Sequence, residues 1–267
     1  MNYFAKLTQE PGRNGLPYNP CKLLNFELLV LAAGETAVGE TEGREIVAVI
    51  LGGKATFQVG DETFAEIGER ANVFAGKPYS VYMPIGCGYT ITAVTGTQIV
   101  LASAPSDLET KPYLITPEQV VTGVWGADNH TRHFHQILVE SVHPDLPARR
   151  LIVGETFTPS GNWSTYPAHK HEVDNLPHEA YHEEMYYFRI APDNGFGITR
   201  FYHTEEDAIN YTVKDNSILM IPDGYHTYVG APGFQSYYLW FLAGEHRTQA
   251  VVADAAQVAG LERMKGQ

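Results

Sequence analysis

A chain of 267 residues can bury one large core or two ordinary ones. Its net charge of −13 excludes the clustered Lys and Arg that a nucleic acid or an anionic membrane needs in a partner, and no apolar run approaches membrane-spanning length. Two cysteines, Cys21 and Cys87, are too few for a disulfide framework; with an N-terminus that has no signal-like apolar core, they predict a cytoplasmic protein.

Gly 25, Pro 16, Tyr 16 and Phe 12, spread between short β-branched and aromatic runs, predict an all-β fold. In chain order the strand candidates begin with Phe26–Leu31 and Glu45–Leu51. Gly52–Phe57 follows, then Val81–Met83 running into the turn Pro84-Ile-Gly86, then Thr90–Val94 and Gln98–Ala102. Ser103–Pro112 reads as a linker. Beyond it come Arg150–Val153, Glu184–Ile190, Phe196–Phe201, Met220–Ile221 with the turn Pro222-Asp-Gly224, and Tyr237–Leu242. The tail from Thr248 suits a short C-terminal helix.

The two halves repeat. Glu45 to Pro84 spans 39 positions and Glu184 to Pro222 spans 38, which predicts a module over 1–145 and another over 146–267. On this alignment Gly88 stands where His226 stands, and no His-x-His precedes Glu45, so a metal site is expected in the second module only.

Histidine distribution agrees: all 11 lie at or beyond His130. His169 and His171, one residue apart on a strand, point to one face. Glu184 opens the next strand, and His226 closes the set from behind the Pro222 turn. Three imidazoles and one carboxylate suit a borderline divalent ion such as zinc, manganese, iron, cobalt or nickel. Glu183 is the competing carboxylate; alternation puts it with Met185 and Tyr187, opposite Glu184, Tyr186 and Phe188. Arg200, mid-strand, needs an anion, either a substrate carboxylate or a structural acid. Tyr187, Tyr225 and Tyr238 are candidate donors to substrate oxygens, and Lys170 should point away from the metal. The polar stretch Glu172–His182 reads as a lid or as an insertion.

The pattern His-x-His, Glu, Pro-x-Gly-x-His resembles the cupin superfamily, and its duplication resembles a bicupin. The chain is similar, over most of its length, to the 5-deoxy-glucuronate isomerase family of myo-inositol catabolism. The residues carrying this are Thr158–Pro167, His169–Glu172, Asp174–Pro177, Glu183–Tyr187, Pro222–His226, Tyr237–Leu239 with Ala243-Gly244, Arg70–Pro78, Val81–Pro84, Leu101–Pro105, and Asn129 with Arg132. Asn216-Ser217 replaces the usual Gly-Asp before the last metal strand, and Asn tolerates the positive-φ turn. Ala168 replaces a second Pro before the first His.

The resemblance implies two jelly-roll modules and an aldose–ketose isomerase acting on a small anionic, uronate-type sugar. The exposed edges and faces of such modules predict a homo-oligomer. A metal gripping the carbonyl and neighbouring hydroxyl would lower the barrier to proton abstraction. Glu183, His182, a Tyr or a metal-bound hydroxide stand open as the base. An iron-dependent cupin oxidoreductase and a non-catalytic sugar-binding bicupin are the alternatives.

Overall fold

Period-two alternation in the strand Glu183–Ala191 sets the architecture. Glu183, Met185 and Tyr187 face one buried layer while Glu184, Tyr186 and Phe188 face another, so the run reads as continuously apolar. The computed structural model describes residues 2–265, and its regular structure is almost wholly antiparallel β.

Four sheets form two modules. In the first, a four-stranded sheet closes on a six-stranded one over an apolar interior that includes Leu29, Ile46, Phe57, Ile91 and Ile99. In the second, a five-stranded sheet closes on a seven-stranded one over an aromatic interior with Tyr186, Phe188, Phe201, Tyr228, Tyr238 and Trp240. The six- and seven-stranded sheets then pack on each other through Phe26, Val49, Val100, Met185, Tyr187, Leu239 and Phe241. This is the tandem jelly-roll arrangement expected from the sequence. The tail forms the helix Ala255–Lys265.

Two boundaries differ from expectation. Ser103–Pro105 remains paired within the strand Thr97–Pro105, so the linker starts at Ser106. Sheet membership also crosses the 145/146 division twice. Phe4–Lys6 pairs with Ser217–Leu219, and the strands Val121–Trp125 and Arg132–Leu138 extend the second module's sheet beyond Leu151–Thr158. Both additions cover strands that would otherwise expose unpaired backbone.

The repeat is in register one residue earlier than the alignment through Glu184. Ile46 pairs with Met83 as Glu184 pairs with Ile221, each partner just before its Pro. Glu45 therefore matches Glu183, both 39 positions before the proline, and apolar Ile46 occupies the place of Glu184.

The two matched acids do the same job reciprocally. The Glu45 carboxylate accepts from the backbone N–H groups of Arg149, Arg150 and Leu151 at 2.7, 2.7 and 2.8 Å. Glu183 accepts from those of Lys22, Leu23 and Leu24 at 2.7, 2.7 and 3.0 Å. Each module's acid thus fastens the segment entering the other.

Candidate metal centre

The strand Trp163–Lys170 carries His169 and delivers His171 just past its end, and His169 sits directly across from His226. The donor atoms of His169, His171, Glu184 and His226 lie within 4.8 Å of one another. His171 Nδ1 donates to the His182 carbonyl at 2.7 Å, which leaves its Nε2 facing Glu184 Oε2 at 3.1 Å. His226 Nε2 also lies 3.1 Å from that oxygen, yet outside hydrogen-bond geometry, so a fully buried ring nitrogen has no partner.

An orphaned, buried nitrogen beside two more imidazoles and a carboxylate fits a divalent cation, which would satisfy all four at once. Electrostatics point the same way. Burial pushes the Glu184 carboxyl up, but His171 and His226 outweigh it and hold the group well below the usual carboxylate range. Burial, then the neighbouring His226 and His171, push His169 far below its ordinary value, so this ring is neutral and free to ligate.

Of the other expected site residues, only Tyr238 meets this cluster. Its ring lies 4.6 Å from that of Tyr186, and its hydroxyl shares a 2.5 Å hydrogen bond with Ser164 Oγ. Four expectations need correction, and strand alternation explains each. Glu183 faces the module interface, where its carboxylate is occupied by three backbone donors. Tyr187 shares that face and donates to Asn216 Oδ1 at 2.6 Å. Arg200 faces outward because Phe201 faces in; it pairs with Glu205 at 2.6 Å and lies 5.0 Å over the Tyr202 ring, the structural choice of the two open to it. Tyr225 points away from the barrel because His226 points into it, and stacks on Tyr202 at 5.3 Å under the Lys170 ammonium.

His182 is committed to the His246 carbonyl at 2.7 Å. The Glu172–His182 stretch closes on itself through an Asn175–Glu179 bridge and is tied to the C-terminal segment by a bond from Ala180 N–H to the Ala250 carbonyl.

A cavity of about 540 Å³ opens from the cluster, lined by His169 and Glu184 with Trp125, His130, Arg132, Tyr186, Tyr238 and Trp240. A larger cleft of about 680 Å³ near Leu51, Arg189 and Asp215 contains none of the four clustered residues. The strand irregularity between Ser164 and His169, with Thr165 at φ 52°, turns Thr165, Tyr166 and Pro167 into the wall. Gly154 makes room for Trp240, since a Cβ there would lie 2.1 Å from its Cζ2. Burial and the charge of Glu184 push the Tyr186 hydroxyl far up, and burial raises Tyr238, so both remain protonated donors.

Tyr186, Arg132, His130 and Trp125 are absent from the sequence-based site. Alternation from Glu184 was the available signal for Tyr186. The other three arrive on strands and turns remote in sequence.

Known proteins match this arrangement. The signature of the KduI/IolB family covers residues 16–259. A 5-deoxy-glucuronate isomerase of Geobacillus kaustophilus is 42% identical over 228 residues, 84% of this chain and 81% of that protein. One from Bacillus subtilis strain 168 is 38% identical over 244 residues, covering 90% and 88%. The crystal structure of an IolB-like protein from Salmonella typhimurium LT2 superposes with a TM-score of 0.91 at 29% identity, covering 97% of this chain and 99% of that one. Bacillus subtilis oxalate decarboxylase shares the bicupin fold alone, with a TM-score of 0.62 at 13% identity, over 94% of this chain and 78% of that one.

Proposed function

This chain belongs to the KduI/IolB family, and we propose that it is a metal-dependent aldose–ketose isomerase converting 5-deoxy-glucuronate to 5-dehydro-2-deoxy-gluconate in myo-inositol catabolism. The observation that carries this reading is the convergence of four donors, three buried and His169 half-buried, beside a cavity wide enough for a six-carbon sugar.

His169, His171, Glu184 and His226 would hold the ion, whose identity among zinc, manganese, iron, cobalt and nickel the donor set leaves open. A bound divalent cation would supply Lewis-acid polarisation of a substrate carbonyl. The protonated hydroxyls of Tyr186 and Tyr238 donate toward substrate oxygens, where negative charge grows during proton removal. Trp125 and Trp240 supply apolar surface to the cavity wall. His130 lines the cavity outside the four-residue cluster, and its buried Nδ1 has no partner, so it is placed to move the proton between adjacent carbons.

Among the described residues no helix is long and apolar enough to cross a membrane, which suits a cytoplasmic catabolic enzyme. The edge strand Val121–Trp125, with Val121 and Val124 exposed, is consistent with a homo-oligomer, checkable by sedimentation.

Chelator-stripped protein reloaded with single metals and mixed with 5-deoxy-glucuronate, followed by NMR with and without air, tests the function. Conversion should require metal and be indifferent to oxygen. His226→Ala should abolish both metal retention and turnover while the protein stays folded. Absence of product from fully loaded protein sinks the proposal, and an oxygen requirement would replace it with the oxidoreductase.

A further inference from the structure

The cavity contains a guanidinium with nothing to bind. Arg132 opens its strand directly opposite Trp125, and its guanidinium carbon lies 5.6 Å from the centre of that indole. The indole is in turn stacked on Phe134 at 4.1 Å. Stacking of this kind fixes the plane of an arginine while leaving its donor edges free.

Those edges have no acceptor here. Arg132 Nε is buried without a hydrogen-bond partner, and so is Nδ1 of His130, two residues earlier. Several other arginines have an acid partner: Arg70 has Glu155 and Arg189 has Asp215, while Arg200 has Glu205 although its Nε is also buried without a partner. Glu184, the carboxylate that shares the cavity with Arg132, already faces His171 and His226. Arg132 faces the same space as the cluster, since it lines one cavity with His169, Glu184 and Tyr238. Arg132 as a whole is half-buried, and a charged donor left unmatched in the wall of a cavity is available to a ligand.

We propose that Arg132 binds the carboxylate of an acidic sugar whose carbonyl end lies at the His169, His171, Glu184 and His226 cluster. The inference rests on the isomerase reading and specifies how that site selects its substrate class. A neutral sugar of equal length would fill the cavity but leave the guanidinium unpaired, which is how a polar site rejects a near-isostere. Arg132 is a binding and specificity residue, remote from the atoms that react, so its loss should fall on KM more than on kcat.

The test uses Arg132→Gln and Arg132→Lys in the full chain, with metal content and thermal unfolding measured alongside. Both variants should keep the metal and the fold, because Arg132 makes no ion pair within the described residues. For Arg132→Gln, KM for 5-deoxy-glucuronate should rise about 100-fold, the scale of a lost charge-assisted pair. Arg132→Lys should recover only part of this, as a point charge cannot present two parallel donors. Independently of turnover, titration with D-glucuronate should quench the Trp125 and Trp240 fluorescence of the parent protein, and D-glucose should not. Arg132→Gln should erase that difference.

If the parent protein fails to distinguish the two sugars, or if Arg132→Gln binds glucuronate as tightly as the parent, the assignment is wrong. If the parent distinguishes them but turns over no uronate, the isomerase reading falls while the role of Arg132 stands.

Discussion

Glu183 and Glu184 are chemically identical neighbours with opposite duties, divided only by the pleat of the strand. Glu183→Gln should leave metal content unchanged and lower stability by about 1–3 kcal/mol, because three backbone donors lose a charged acceptor. Glu184→Gln should strip the metal and cost little in stability. Elemental analysis with urea unfolding separates the two, and a reversed pattern would mean the faces are misassigned. Alternation alone placed Glu184 and Tyr186 on a shared face. It could not place the arginines, because which face is interior depends on pairing across the sheet. Phe201 turns inward and sends Arg200 to Glu205, whereas Arg132 reaches the cavity from a strand outside the expected second module.

Among elements, local signals were legible and distant partners were not. Asn216 takes the left-handed turn with φ 62°, as its side chain suggested. What the sequence concealed is that Asn216 also accepts from Tyr187 and donates to the Leu7 carbonyl at 2.8 Å, tying the turn to the residue just past the Phe4–Lys6 strand at the other end of the chain. Asn216→Gly should keep the turn but lose both bonds, while Asn216→Ala should cost about 1 kcal/mol more for the strained φ. Comparison of their denaturation midpoints checks this, and equal midpoints would refute it. Removal of the first eight residues should lower Tm and promote aggregation, since Ser217–Ile221, adjacent to the strand bearing Glu184, becomes an open edge. Unchanged Tm in the truncated protein would show that the Phe4–Lys6 strand adds nothing.

For the whole molecule, the contact between modules carries a buried charge network. Arg70 grips Glu155 with Nη2–Oε1 at 2.6 Å and Nη1–Oε2 at 3.1 Å, while Tyr237 and His135 take the same carboxylate at 2.8 and 2.9 Å. Burial pushes Glu155 up, but Arg70 and His135 outweigh it and the carboxyl is held below its ordinary value. A folded carboxyl held below its unfolded value contributes fully above the ordinary carboxylate range. That contribution drains away as pH falls through the depressed folded value. Glu155→Gln should therefore flatten the acid limb of the stability curve. Glu155→Ala should cost about 3–5 kcal/mol by stranding the arginine. Chemical denaturation across pH measures both, and an acid limb as steep as the parent's in Glu155→Gln would refute the assignment.

The crossed grip of Glu45 and Glu183 bears on how such a protein can be divided. A chain severed in the middle would yield two fragments, each keeping the clamp that its sibling needs and missing the one that it needs itself. Neither piece could mature alone. Produced together, they should find one another and restore a working site without any peptide link.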